Sequence, residues 1–140
     1  MMKKKQNKNP RLSNKVKNRS GLHNEVIKWL YNNKLYIGFK SEMPIDRYTV
    51  DELNENKKLI LEINGDHWHA NPRKYNANDI IGGTGKKTAK QIWERDSEKI
   101  EVLQGMGYDV IIIWESDFRN KFYRKKILKN IKELLCEYRC

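Results

Sequence analysis

Asp51 and Glu62 stand eleven residues apart, one closing the run YTVD and the other inside the apolar run LILEING. If the two runs pair as the strands of a hairpin, both carboxylates can reach one side of the sheet, a few ångströms apart. Carboxylates that close repel, and each raises the other's pKa unless a cation lies between them. Hard divalent ions such as Mg²⁺ favour such a pair and complete their shell with waters and the oxygens of a phosphate substrate. Spacing alone leaves open a surface Asp and Glu at strand ends. After Glu62 comes a glycine turn bearing His67, Trp68 and His69 in the run GDHWHANP, a costly composition if it only closes a loop.

Two further acids fall on faces that should be apolar. A helix from Thr88 to about Gln104 carries the stripe Ala89, Ile92, Trp93, Ile100 and Leu103, and Asp96 lies on it, four residues from both Ile92 and Ile100. In an earlier helix Glu25 lies three residues from Leu22 and four from Trp29, at the border of the apolar face. Carboxylates turned towards a core must be paired, ligated or hydrogen-bonded. One could be a structural acid bonded to a lysine. Two of them, beside Asp51, Glu62 and His69, point to a converging site.

The elements that position these residues follow from periodicity. Ser20 can cap a helix in which Leu22, Val26, Trp29 and Leu30 repeat to about Asn32. An extended piece is expected near Tyr36 to Phe39, and Pro44 predicts an irregular stretch over 41–46. Arg47 to Asp51 reads as a strand, Glu52 to Lys57 as a turn, and Lys58 to Asn64 as the hairpin partner. Residues 65–85 read mostly as loop. Gly105 and Gly107 stop the Thr88 helix, Tyr108 to Trp114 (YDVIIIW) is the most buried-looking strand, and a basic helix is expected from about Arg119 to Tyr138. Three or four strands with helices before and after them predict one α/β (α+β) domain.

Composition bounds the partners. A chain of 140 residues suits one domain that needs no disulfide framework, and its two cysteines, Cys136 and Cys140, read as free thiols of a reducing cytosol. The longest apolar run, Val110 to Trp114, is far below the roughly 18 residues of a membrane span, and the first residues contain no apolar stretch of a secretory signal. The net charge of +11 divides into +8 over 1–20, −3 over 21–117 and +6 over 118–140. Basic flanks around a mildly acidic centre favour a polyanion gripped outside and handled inside over a solubilising tail. The loop IIGGTGKKTAK imitates a phosphate-binding loop but has Ile80 where the pattern needs glycine before Gly85-Lys86. Its lysines read instead as backbone-phosphate contacts.

In their order and spacing, YTVD, Glu62 within LILEING, DHWHANP, WERD and GYDVIIIWESD resemble the very-short-patch repair endonucleases. They equally resemble the phage and intron homing endonucleases with the EDxHD motif, in the same branch of the PD-(D/E)XK nuclease superfamily. The resemblance covers about residues 21–118. Carried over, the family's helical Glu matches Glu25, its metal-binding Asp matches Asp51, its catalytic His matches His69 and its late helical Asp matches Asp96. Glu62 takes the acidic position of the superfamily's E-x-K element, whose lysine is Asn64 here, and this shifts the duty of holding the attacking water to His69. The repair enzymes' structural zinc ligands fall at Asp66, Asn71, Arg73 and Ser116, so no zinc is expected and homing enzymes are the nearer comparison.

The resemblance therefore implies a single-domain restriction-endonuclease-like fold, a central mixed sheet flanked by helices. A nuclease core at 20–117 would stand between a flexible basic arm at 1–19 and a basic C-terminal helix at 118–140. It implies a Mg²⁺-dependent endonuclease on double-stranded DNA, with Mn²⁺ as a substitute metal, located with DNA in the cytoplasm, phage- or mobile-element-encoded, and monomeric or homodimeric. A homing or mobile-element enzyme comes first. A mismatch- or structure-specific nickase, or a non-catalytic basic DNA-binding protein on the same fold, are the alternatives. In this reading Asp51 and Glu62 hold the metal, Asp96 orients His69 as the base, and Glu25 anchors metal-bound water. DNA contacts are expected from Lys3, Lys4, Lys5, Lys8, Arg11, Lys15, Lys17 and Arg19 in the arm. Lys86, Lys87 and the helical Arg124, Lys125 and Lys126 would add to them. Trp68 and His67 read as wedges into DNA or as packing, with packing favoured for the Trp. His23 reads as surface, and Glu115 and Asp117 as organisers of the turn after the last strand.

Overall fold

Six consecutive buried residues, Leu59–Asn64, form strand β3, and the rest of the fold covers its two faces. The computed structural model describes residues 20–136. Helix α1 (Gly21–Asn32) leads to strands β1 (Phe39–Ile45), β2 (Tyr48–Asn54) and β3, then to helix α2 (Ala89–Gly105) and strand β4 (Asp109–Trp114). A short helix α3 (Glu115–Arg119) and helix α4 (Lys121–Leu135) complete the described chain. The sheet runs β1-β2-β3-β4; β1 and β3 pair antiparallel with β2, and β4 pairs parallel with β3. Parallel neighbours need a long crossover, and α2 with its preceding loop supplies it. The protein is thus mixed α/β, with a mixed sheet between helices.

Alternation along β3 divides the core. Leu59, Leu61 and Ile63 pack with Val26, Ile27 and Leu30 of α1, with Phe118 of α3 and with Ile131 of α4. Ile60 points the other way, against Leu103 of α2. A smaller cluster of Ala70, Ile81, Ala89 and Ile92 ties the long loop after β3 to the start of α2, where Trp93 Nε1 donates to the Ala70 carbonyl at 2.6 Å. All three long helices start on side-chain caps, that of α4 being Asn120, which accepts from the Phe122 and Tyr123 amides. Ser20 accepts from the His23 amide, and Thr88 forms a reciprocal capping box with Gln91.

Several expectations need correcting. β1 begins at Phe39 and runs through Pro44, which pairs with Thr49 at the edge of the sheet, where a missing N–H is tolerated. β2 continues to Asn54, so the turn is confined to residues 55–58. YDVIIIW is not the most buried strand, because β4 is the other edge and only Ile113 in it is buried. Glu115 and Asp117 lie in α3, and the basic helix starts at Lys121 and ends at Leu135. The arm at 1–19 and Tyr138, Arg139 and Cys140 lie outside the described residues, as do the DNA contacts expected from Lys3 to Arg19.

The basic helix α4 also belongs to the main core through Ile131, with Ile127, Leu134 and Leu135 packed behind it. Replacing a fully buried aliphatic side chain by alanine costs about 2–5 kcal/mol. Ile131→Ala should therefore lower the stability measured by urea unfolding by an amount in that range. A loss under about 0.5 kcal/mol, typical of surface positions, would show that α4 is not part of the folded unit.

Candidate functional site

The sheet opens where the two predicted carboxylates lie. β2 pairs with β3 only at Glu52–Leu61, Leu53–Ile60 and Asn54–Leu59. One step further the carboxylates take over: Glu62 Oε1 accepts the Asp51 amide at 3.2 Å, and Asp51 Oδ2 accepts the Ile63 amide at 2.7 Å. Asp51 and Glu62 thus occupy a fork between strands. The third member is Lys99 of α2, whose Nζ donates to Glu62 Oε2 at 2.9 Å and to the Thr49 carbonyl at 2.8 Å, bridging the two strands. Burial first, and the Asp51 charge second, push the Glu62 pKa above its ordinary value, although Lys99 opposes both. A further cation beside the pair would relieve the Asp51–Glu62 repulsion, so the donor set suits a hard divalent ion. Lys99 was missed in the sequence, although it lies three residues beyond Asp96, on the same side of a helix.

That helix carries the next contact. Asp96 Oδ2 lies 2.8 Å from His69 Nδ1. Burial alone would raise the Asp96 pKa, but the hydrogen bond and charge of His69, with Arg95, outweigh it and hold Asp96 below its ordinary value. An ionised carboxylate only accepts, so His69 Nδ1 carries a proton towards Asp96, and in the neutral ring Nε2 is the acceptor. The ring of Trp114 meets the His69 ring edge-on, with centroids 6.5 Å apart. His69 and Asp96 therefore lie on the α2 side of the sheet, one helical turn from the lysine that holds Glu62.

Glu25 does not join this group. Its carboxylate pairs with Arg119 at 3.1 Å, across an open groove also lined by Lys28, Trp29, Phe118 and Arg124. His23, expected at the surface, is buried instead. Its Nε2 lies 2.9 Å from Glu52 Oε2, and its Nδ1 lies 3.5 Å from Glu42 Oε1. His23, Glu42 and Asp51 each offer a ligand atom within 4.8 Å of the other two, close enough for a metal ion, so Asp51 faces two sets of polar neighbours.

The loop after β3 is held by a compact network. Asn71 donates to Asp66 Oδ1 at 2.8 Å and to Ser116 Oγ at 3.3 Å, Ser116 Oγ donates to Asp66 at 3.3 Å, and Arg73 reaches Ser116 at 3.5 Å. The side chains of Asp66, Asn71, Arg73 and Ser116 thus bond to one another. Burial alone would raise the Asp66 pKa. The bonds from Asn71, Lys74 and the Ser116 amide outweigh it and hold Asp66 below its ordinary value. His67 also organises the loop, with its ring nitrogens 2.9 Å from the Gly82 carbonyl and 3.2 Å from the Tyr75 hydroxyl.

Trp68 is not packing. It is 57% exposed, and its ring edge rests on Gly83, where an added Cβ would stand 2.8 Å from the ring and the backbone φ is +81°. The Gly83 loop presents exposed Lys86 and Lys87 beside it. On α4, Lys125 and Lys126 are exposed, Lys126 sits over the Phe122 ring at 4.6 Å, and Arg124 covers Phe118 at 5.6 Å. Of these two rings Phe122 is exposed, and a cation over an exposed ring can take a stacked base or a phosphate. Among the described residues no helix is long and apolar enough to cross a membrane. No protein-family model matches the chain, and no curated protein matches it.

A lowered carboxylate pKa contributes stability that is present above the unfolded value and lost as pH falls through the folded one. The stability gap between the parent protein and Asp66→Asn should therefore be full at neutral pH and shrink as pH drops below the ordinary Asp value. Urea midpoints at several pH values measure it. A gap that widens in acid would show that Asp66 is protonated in the fold.

Proposed function

We propose that the protein is a metal-dependent endonuclease that hydrolyses phosphodiester bonds of double-stranded DNA, built on a PD-(D/E)XK-type core. The observation that carries this reading is the pairing of two carboxylates in an opened ladder, Asp51 and Glu62, with a carboxylate-oriented histidine, His69, fixed by the same helix. Mg²⁺, or Mn²⁺ in its place, would be held by Asp51 and Glu62 and would supply charge relief at the scissile phosphate. His69 Nε2 takes the proton of the attacking water as the water's oxygen bonds to phosphorus. The bond from phosphorus to the leaving 3′ oxygen then breaks, and that oxygen takes a proton from solvent water to become the 3′ hydroxyl. Asp96 holds the ring in the tautomer that leaves Nε2 basic and stabilises the charge it gains. Lys99 steadies Glu62 by donating to its Oε2.

Lys86, Lys87, Arg124, Lys125 and Lys126 grip phosphates, and Trp68 offers a stacking surface next to His69. The self-bonded loop at Asp66, Asn71, Arg73 and Ser116 favours a homing or mobile-element nuclease over a mismatch-repair nickase. One site cuts one strand, so double-strand cleavage would require a homodimer or two successive nicks.

Plasmid cleavage tests the reading. Asp51→Asn should abolish Mg²⁺-dependent nicking while DNA binding persists or tightens, and His69→Ala should slow it by about 10²- to 10⁴-fold. Undiminished cleavage by Asp51→Asn would remove the site assignment. Binding without cleavage by the parent protein would leave a non-catalytic DNA-binding protein.

Salt dependence tests the grip separately. Each phosphate contact contributes about 0.9 to the slope of log affinity against log salt on duplex DNA. Replacing Lys125 and Lys126 together by alanine should lower that slope by about 2, with little change in sequence preference. An unchanged slope would take α4 out of the interface.

A further inference from the structure

The inner face of α1 carries a second constellation, joined to the Asp51–Glu62 fork only through Asp51. Its centre is His23, 3% exposed, with Nε2 2.9 Å from Glu52 Oε2. Glu52 is fully buried, and its other oxygen accepts the Tyr36 hydroxyl at 2.6 Å. A carboxylate set in this way takes the imidazole N–H as its second donor, so Nε2 carries the proton and Nδ1 keeps its lone pair. That lone pair faces Glu42 Oε1 at 3.5 Å, and Asp51 completes a group whose ligand atoms all lie within 4.8 Å of one another. A ligating imidazole whose other nitrogen donates to a carboxylate is the usual arrangement at protein metal centres. His23 Nδ1 and Glu42 Oε1 lie 3.5 Å apart, within the span of two metal–ligand bonds of about 2.1 Å each.

The backbone is bent to the same end. Ser41 pairs with Glu52 and Met43 with Val50, so Glu42 would stand opposite Asp51 in the β1–β2 ladder. It does not pair there, because its φ is +53°, a left-handed conformation that a residue with a side chain adopts at a cost. The twist takes Glu42 out of the ladder at the one rung where its carboxylate meets both His23 and Asp51.

We propose that His23, Glu42 and Asp51 bind a divalent transition-metal ion of the Mn²⁺ or Co²⁺ kind, with Glu52 orienting the His23 ring. An imidazole among carboxylates moves preference away from Mg²⁺, which favours all-oxygen shells, towards such ions. The inference concerns metal binding and stands whether or not the protein cuts DNA.

Mn²⁺ titrated into the full-length protein without DNA, followed by electron spin resonance, tests it. The parent should bind Mn²⁺ with a directly coordinated imidazole nitrogen in the spin-echo spectrum, and that signal should survive in Glu62→Gln and in His69→Ala. Glu42→Gln leaves the His23–Glu52 contact intact and should weaken Mn²⁺ binding at least about tenfold. It should also abolish the rise in Tm that Mn²⁺ gives the parent. His23→Gln should remove the nitrogen signal, and should that variant fail to fold, Glu42→Gln decides alone. Unchanged Mn²⁺ affinity in Glu42→Gln, or a nitrogen signal lost in His69→Ala, would overturn the inference. Plasmid cleavage measured alongside keeps the two readings apart. Mn²⁺ bound through His23 without cleavage removes only the nuclease, and cleavage with Glu42→Gln binding Mn²⁺ normally removes only this site.

Discussion

At Asp51 and Glu62 the sheet stops using its backbone and starts using its side chains. Every buried amide needs an acceptor, and two amides that a regular ladder would pair with carbonyls are paired here with carboxylates. That substitution has three consequences. The carboxylates lose their freedom, since each is tied to the opposite strand. The strands diverge, and Lys99 reaches in from α2 to bridge them. The chain leaving β3 starts its loop at the open end of the fork, and His69 rides on that loop. A continuous β2–β3 ladder would leave no room for any of these.

The fork concentrates charge in a place that must account for it. Glu52, Glu62 and Asp66 are all buried, and a buried carboxylate is tolerated only with partners. Each has partners from a different part of the chain. Glu52 has His23 of α1 and Tyr36, Glu62 has Lys99 of α2, and Asp66 has Asn71 and Lys74 of its own loop. These bonds tie the helices and the loop to the sheet more specifically than apolar contact does. Residues 21–117 are also net acidic between basic ends, so the phosphate of the proposed substrate would meet its own sign of charge at the fork. A cation at the fork and lysines around it are the two remedies that electrostatics allows.

The order of elements was legible because the strongest signals were local: the capping residues Ser20 and Thr88, the apolar run of β3, the glycines after α2. Two kinds of misreading came from information the local pattern lacks. Pro44 and YDVIIIW were judged without knowing which strands form the edges, and edge position both tolerates the proline and leaves β4 half-exposed. Glu25 borders a stripe of Leu22, Val26, Trp29 and Leu30, whereas the face that is buried is His23, Val26, Ile27 and Leu30. The two sets share Val26 and Leu30, and His23 and Ile27 stand where Leu22 and Trp29 were expected. A histidine is counted as polar until a buried partner is known, and that partner, Glu52, is 29 residues away. Asp51 and Glu62, and His69 and Asp96, were legible as pairs because each falls where its element would otherwise be apolar or turning. Lys99 was not, since a lysine on a helix surface carries no signal until the strand opposite it is found to open.

The loop can position His69 because its backbone is anchored on both sides of that residue. On the C-terminal side of the histidine, Trp93 of α2 holds the Ala70 carbonyl, and Asn71 is bonded to Asp66 and Ser116. On the N-terminal side, the His69 amide donates to the Gly65 carbonyl and the Asn71 amide donates to the Asp66 carbonyl, closing the turn on itself. The ring then meets Asp96 and Trp114. Loops move more than strands and helices, so a loop side chain positions a proton transfer only where a rigid scaffold holds the loop. Here the flanking backbone is bonded to rigid elements and the ring has its own carboxylate. The His69 ring is therefore fixed by bonds within the protein itself, as the proposed base would require.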